Sequence, residues 1–442
     1  MTALHSGLTP AQTDALIAGI ESKRDEVVAL TQDLIRIPTT NPPGDAYEAC
    51  AHFLGERLAR KGFDVSYIRA QGAPGDSDAY PRINVVARIE GASKGSGVHF
   101  NSHIDVVEAG RGWSVDPFSG YVSDNKIYGR GSCDMKGGLA ASIIACEAII
   151  ESGLPWAGAL EISGTVDEES GGFAGVGYLA HRGFFTPPKV HHVIIPEPLG
   201  VDRICLGHRG VWWAEVETHG RIAHGSMPFL GDSAINHMGA FIHLLETKLM
   251  PTLAQRRTSE PVEPPGARVS TLNINSIHGG QVQQRYSLDA LGQPTGDLPA
   301  PVVAHNCRAV LDRRFIAEED LQSVKQEIID MLDELKRTRA GFDYGIRDIM
   351  SFIPSATPQD APVVQATAIA IARVLGREPR FISSPGTYDQ KHIVRTAGLK
   401  DCIAYGPGIL DLAHQPDEYV EIDELVHSAQ IMALAAWRLL HT

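Results

Sequence analysis

Two rhythms of apolar residues alternate along this chain. Residues 9–36 place Leu16, Ile17, Ile20, Val27, Val28, Leu30, Leu34 and Ile35 at helical spacing, and TTNPPG at 39–44 breaks the pattern. Residues 47–61 predict a second helix, closed by Gly62. Strand-like runs follow at 64–68, 83–89 and 98–104, then a helix at 139–152, a strand at 159–166, a short helix at 175–182 and a buried strand at 190–195. Strands alternating with helices imply an α/β sheet covered on both faces.

Near Gly207 the texture changes. Residues 211–218 alternate as a half-buried strand does, 233–249 is helical, 268–277 and 302–315 are strand-like, 318–336 is an amphipathic helix and 342–352 is a last strand. The order β-α-β-β-α-β predicts an inserted α/β sandwich of ferredoxin-like type. After Pro358 the first pattern resumes, with a helix at 363–375, strands at 379–382 and 402–405, and a terminal helix at 423–440. The expected α/β architecture is a discontinuous main domain, residues 1–208 and 355–442, with a mixed sheet flanked by helices, interrupted by a second domain at 209–354. Residues 281–301, rich in Gly, Pro and polar side chains, are long for a hairpin and predict a functional or mobile loop.

The chain has 442 residues, enough for two or three cored domains. Lys and Arg number 39 against 53 Asp and Glu, a net charge of −14. That balance argues against nucleic acid or an anionic membrane as the main partner, yet leaves a small anionic substrate open. No apolar run approaches the ~18 residues that span a bilayer. Residues 1–13 lack a signal-peptide pattern. The six cysteines are scattered without a CxxC pair, so the expected setting is the reducing cytoplasm.

Three apolar runs end abruptly in candidate chemistry: SHID at 102–105, GRGSCDMKGG at 129–138 and TVDEESGG at 165–172. Ligands in open α/β sheets gather beyond the carboxyl ends of the strands. His103 is a good neutral zinc ligand, and a carboxylate two residues on, Asp105, can orient it. The glycines around Asp134 permit close backbone approach to an ion. The adjacent side chains of Glu168 and Glu169 can diverge, one to metal and one free to carry a proton. Glu197, flanked by prolines after a buried strand, and His414 extend the set. Two imidazoles, three carboxylates and one spare carboxylate suit two Zn²⁺ and a general base. Each residue also has a bland reading: a strand-end His, an Asp turn, an acidic pair favouring a helix start. A Cys133 or Ser132 nucleophile is a rival chemistry.

The motifs SHIDVV, WSVDPF, YGRGSCDMKGG, TVDEESGG, RIAHGSMP, LDRRF and AHQPDEYV together resemble the co-catalytic zinc aminoacylase and carboxypeptidase family over roughly residues 20–440. That family includes acetylornithine deacetylase, succinyl-diaminopimelate desuccinylase and glutamate carboxypeptidase. The resemblance implies two Zn²⁺ per subunit, with Co²⁺ or Mn²⁺ able to substitute. Asp134 would bridge them, His103 and Glu197 would complete one site, and Glu169 and His414 the other. Glu168 would be the general base and Asp105 would orient His103. The inserted domain would act as a lid and form a homodimer interface, and His224, matching a family His that reaches the partner's active site, would help bind the substrate carbonyl or stabilise the oxyanion. Arg314, or Arg313, would hold a substrate carboxylate, and Gly386 and Thr387 fall in the family's substrate-side Gly-Thr-Asp segment. The implied activity is removal of an acyl group from an N-acyl amino acid or a related small amide. A carboxypeptidase or dipeptidase is the alternative, and a non-catalytic metal-binding protein a third reading. The chain departs from the family pattern at Ser102, Glu108 and Tyr388, and in residues 281–301, which replace an Asn-x-x-Pro segment.

Overall fold

The computed structural model describes residues 7–281, 287–295 and 301–442. It divides into two compact units. The first comprises the residues up to Gly207, Ser355–Ser384 and Tyr388–Thr442, and the second comprises His208–Pro354 and Pro385–Thr387.

The first unit contains strands β1 (Asp64–Arg69), β2 (Ile83–Glu90), β3 (Ser93–His103), β4 (Tyr121–Ser123), β5 (Lys126–Tyr128), β6 (Ala157–Thr165), β7 (His192–Ile195) and β8 (Arg203–His208). After the second unit it resumes with β15 (Ser355–Ala356), β16 (Arg380–Ser384), β17 (Cys402–Ala404) and β18 (Tyr419–Glu421). Nine of these form a sheet in the order β1-β2-β6-β3-β7-β17-β8-β15, with β16 beside β8. β6, β3, β7 and β17 run parallel, while β1, β2 and β8 pair antiparallel, so the sheet is mixed.

Alternation along the strands sends side chains to both faces. Ile194 and Ile403 join a core with helices α1 (Pro10–Glu21), α2 (Arg24–Ile35), α3 (Tyr47–Arg60), α4 (Gly137–Glu151), α9 (Pro362–Leu375) and α11 (Ile422–Leu440). Val193, Ile195, Cys402 and Ala404 join a second core with α5 (Val176–His181) and α10 (Gln390–Arg395). Each fully buried Val, Leu or Ile contributes roughly 1.5–3 kcal/mol. α4 is buried from Gly137 to Ile149, and Gly138 is required there because a Cβ would stand 1.9 Å from the Pro196 carbonyl oxygen.

The helical spacing of residues 9–36 resolves into two helices. Ser22 turns its hydroxyl back on the Gly19 carbonyl and Lys23 leaves helical geometry, so α2 starts afresh at Arg24. The hairpin β4–β5 turns through Asp124 and Asn125, both at positive φ, and β18 adds a third strand to it. That small sheet brings residues 414–418 beside the loop that carries Asp134.

The second unit contains β9 (Gly210–His219), β10 (Thr271–Gly279), β11 (Ser287–Leu288), β12 (Pro294–Thr295), β13 (Asn306–Phe315) and β14 (Asp343–Phe352), with α6 (Ala234–Leu244), α7 (Met250–Leu253) and α8 (Leu321–Thr338). Its main sheet is antiparallel, ordered β10-β13-β9-β14, the ferredoxin-like arrangement. Trp212, Ala214 and Val216 point from β9 into a core with Met238, Phe241, Ile328 and Leu332. Residues 281–301, expected as one loop, contain the short β11–β12 hairpin, and 282–286 and 296–300 lie outside the described residues.

Candidate metal centre and active site

The parallel strands β6, β3 and β7 are adjacent, so their carboxyl ends present Glu168–Glu169, His103–Asp105 and Glu197 side by side. His103 Nε2 lies 3.0 Å from Asp134 Oδ1. Its Nδ1 lies 2.9 Å from the Asp105 carbonyl and 3.5 Å from the Asp105 carboxylate. His414 Nε2 lies 3.0 Å from both Glu169 oxygens and 3.6 Å from Asp134 Oδ2. Asp134 thus stands between the two imidazoles. Ligand atoms of His103, Asp134 and Glu169 fall within 4.8 Å of one another.

The electrostatics are those of an anionic cluster. Burial and the Asp134 charge push Glu169 up to about 7. The same two causes raise Glu197 well above the carboxylate range. Hydrogen bonding to Glu169 lifts His414 to about 9. Burial disfavours a charged His103, but its bonds to Asp105 and Asp134 win and raise it. Three converging carboxylates and two imidazoles, nearly all buried, form a donor set that divalent cations would satisfy. His103, Asp134 and Glu169 fit a divalent metal ion.

Asp105 does more than face His103. Its carboxylate accepts the backbone N–H groups of Glu168 and Glu169, each at 3.1 Å, and the Asn41 amide at 2.9 Å, so it fixes the turn that carries both glutamates. Asp167, at φ +60°, is held by Tyr47 Oη at 2.8 Å and Arg82 Nε at 3.0 Å. The Asp134 loop is anchored by Glu418, one of whose oxygens accepts the N–H groups of Gly131, Cys133 and Asp134 while the other accepts from Arg130. Burial drives Glu418 up to about 7 against the pull of Arg130. Glu168 accepts a hydrogen bond from Lys391 Nζ at 2.8 Å. The sequence reading gave no role to Asn41, Tyr47, Glu418 or Lys391. Glu418 lies inside the AHQPDEYV motif and Asn41 inside TTNPPG, so position in a motif was the available signal.

The second unit holds His224, Arg313, Arg314, Gly386 and Thr387. His224 is exposed, and its Nδ1 accepts from the Ser226 N–H at 3.2 Å, which leaves Nε2 as the protonated nitrogen. On β13, Arg313 falls on the helix-covered face and is fully buried, bonded to Glu319 at 2.7 Å and to the Arg314 carbonyl. Its guanidinium is thus bonded within the core of this unit. Arg314, on the other face, is forked onto Asp312. Arg209 donates to the carbonyls of Pro385 and Val269, tying Pro385–Thr387 to this unit, and burial beside Arg314 lowers it to about 10.

Fold and ligand cluster together describe an α/β protein with a candidate metal site at its parallel strand ends. The profile of Peptidase family M20/M25/M40 matches residues 99–438, and the chain belongs to that family of amide-bond hydrolases. It is 27% identical over 415 residues to a succinyl-diaminopimelate desuccinylase of Thioalkalivibrio sulfidiphilus, covering 90% of this chain and 95% of that protein. It is 28% identical over 361 residues to an acetylornithine deacetylase of Myxococcus xanthus, covering 81% and 85%. Its fold matches human carnosine dipeptidase 1 with a TM-score of 0.76 at 18% identity, over 98% of this chain and 100% of that one. Among the described residues no helix is long and apolar enough to cross a membrane.

Proposed function

We propose that this chain is a di-zinc amidohydrolase that removes the acyl group from an N-acyl amino acid or a related small carboxylate-bearing amide, with Glu168 as general base. The observation that carries the reading is the pairing of His103 with Asp134 and of His414 with Glu169, with Glu168 one residue away and bonded elsewhere. His103 and Glu197 would hold one ion, Glu169 and His414 the other, and Asp134 both; Co²⁺ or Mn²⁺ would substitute. Bound there, the ions would supply Lewis acidity to the amide carbonyl and acidify water.

The protein's own groups do the rest. Glu168 takes a proton from the attacking water and returns it to the leaving nitrogen. Asp105 fixes the ring of His103 and the turn of Glu168. His224, protonated on Nε2, donates to the developing oxyanion. Arg314, whose Nε and Nη2 are bonded to Asp312, offers its remaining Nη1 to the substrate carboxylate, and Gly386 and Thr387 line its approach. The inserted domain, residues 209–354 in a division at 208/209 and 354/355, serves as lid and homodimer interface. The exposure of Ile222, Phe229 (78%) and Leu230 beside His224 supports that use. We assign the protein to the cytoplasm on the scattered spacing of its six cysteines, which form no CxxC pair.

The deacylase is favoured over a carboxypeptidase or dipeptidase because both sequence relatives named above are N-acyl hydrolases. The test is a hydrolysis panel of N-succinyl, N-acetyl and N-formyl amino acids and dipeptides on the zinc-loaded protein. Preference for an N-acyl amino acid is expected, and exclusive cleavage of dipeptides would overturn the assignment.

A further inference from the structure

The ion pair between Lys391 and Glu168 joins two parts of the first unit that are each fixed independently. On one side, the Glu168 turn is clamped by Asp105. On the other, α10 begins on Gln390, whose amide donates to the Leu206 carbonyl at 3.1 Å, the Cys402 carbonyl at 2.7 Å and Thr357 Oγ1 at 3.1 Å. One residue earlier, Asp389 accepts the Asn101 amide at 2.9 Å. Lys391 therefore leaves a backbone pinned to β3, β8 and β17. Its side chain is 2% exposed and that of Glu168 11%. An ammonium so buried is held by carboxylates, with Glu168 in direct hydrogen bond and the Asp389 and Glu197 charges also acting on it.

We propose that Lys391 is a positioning residue for proton transfer: its ammonium holds one oxygen of Glu168, locks the side chain's rotamer and leaves the other oxygen to face water and the leaving nitrogen. The proposal rests on Glu168 being the general base. Proton transfer requires hydrogen-bond reach, and a displacement of about 1 Å costs on the order of 100-fold in rate. A long glutamate side chain on a short turn would otherwise sample several rotamers. At 2% exposure, Lys391 acts through Glu168 and does not bind substrate.

The experiment compares Lys391→Met, Lys391→Gln, Lys391→Arg and Glu168→Gln in the full-length zinc-loaded protein. It reads kcat, KM, metal content and thermal midpoint on the best N-acyl amino acid of the panel. Lys391→Met and Lys391→Gln are expected to lower kcat about 100-fold with KM and metal content unchanged, and Lys391→Arg to recover most of that loss. Two variants guard against one failing to fold. Wild-type kcat in either neutral variant, a rise in KM alone, or a folded Lys391→Arg as slow as Lys391→Met would overturn the proposal. An active Glu168→Gln would instead sink the general-base reading, whereas an inactive Glu168→Gln beside a normal Lys391→Met would sink this inference alone.

Discussion

Cys133 sits one residue before Asp134, yet its thiol faces inward against the Ile409 carbonyl and is fully buried. Burial, with the Glu418 and Asp134 charges, pushes it far above the thiol range, so it supplies no thiolate nucleophile. Cys133→Ala is expected to keep turnover within a few-fold of wild type while chelation abolishes it; a dead, metal-replete Cys133→Ala would reinstate the thiol. The proposed ligands were legible one by one because strand-end His, Asp and Glu are conspicuous after apolar runs. Lys391 and Glu418 were not, because a charged residue read from sequence looks solvated, and only the fold shows it buried against a partner. Arg313 and Arg314 show the same limit. Adjacent residues on a strand point to opposite faces, and nothing local says which face is covered.

Among elements, the loop from Gly129 to Asp134 depends on Glu418. This carboxylate gathers three backbone N–H groups and the Arg130 guanidinium in a site where Arg130 is 2% and Glu418 1% exposed. Glu418→Ala would strand a buried cation and three donors. The expected loss is about 3–5 kcal/mol of stability, read by denaturant unfolding, together with weaker zinc binding. A loss under about 1 kcal/mol with full zinc affinity would show that the loop holds itself. The long periodic elements were readable from sequence: α8 and α11 fall close to the expected spans, and the inserted unit's β-α-β-β-α-β order is as read. The short ones, the β4–β5 hairpin, β18 and α10, were not, because three to six residues carry too little periodicity to stand out.

At the scale of the whole molecule, pH reaches stability through buried groups far from solvent. The His392 ring donates to the Gly171 carbonyl at 2.8 Å and packs against Gly177, and burial, with the neighbouring Lys391 charge, lowers it to about 3. An unfolded chain protonates this histidine near 6.5 while the folded one does not. Its contribution is thus complete above pH 6.5 and declines as pH falls toward 3. The thermal midpoint is expected to drop between pH 7.5 and 5, and His392→Gln, measured against wild type, to flatten part of that slope. Identical pH slopes in the two proteins would remove His392 from the account. The whole architecture serves one arrangement: a mixed sheet whose parallel strand ends hold a candidate metal site, with a spare glutamate beside it. The most direct test is Glu168→Gln, assayed for turnover and for bound metal in the same preparation. Two zinc ions per chain with turnover nearly abolished is the predicted result. Turnover near wild type with the metal in place would contradict it.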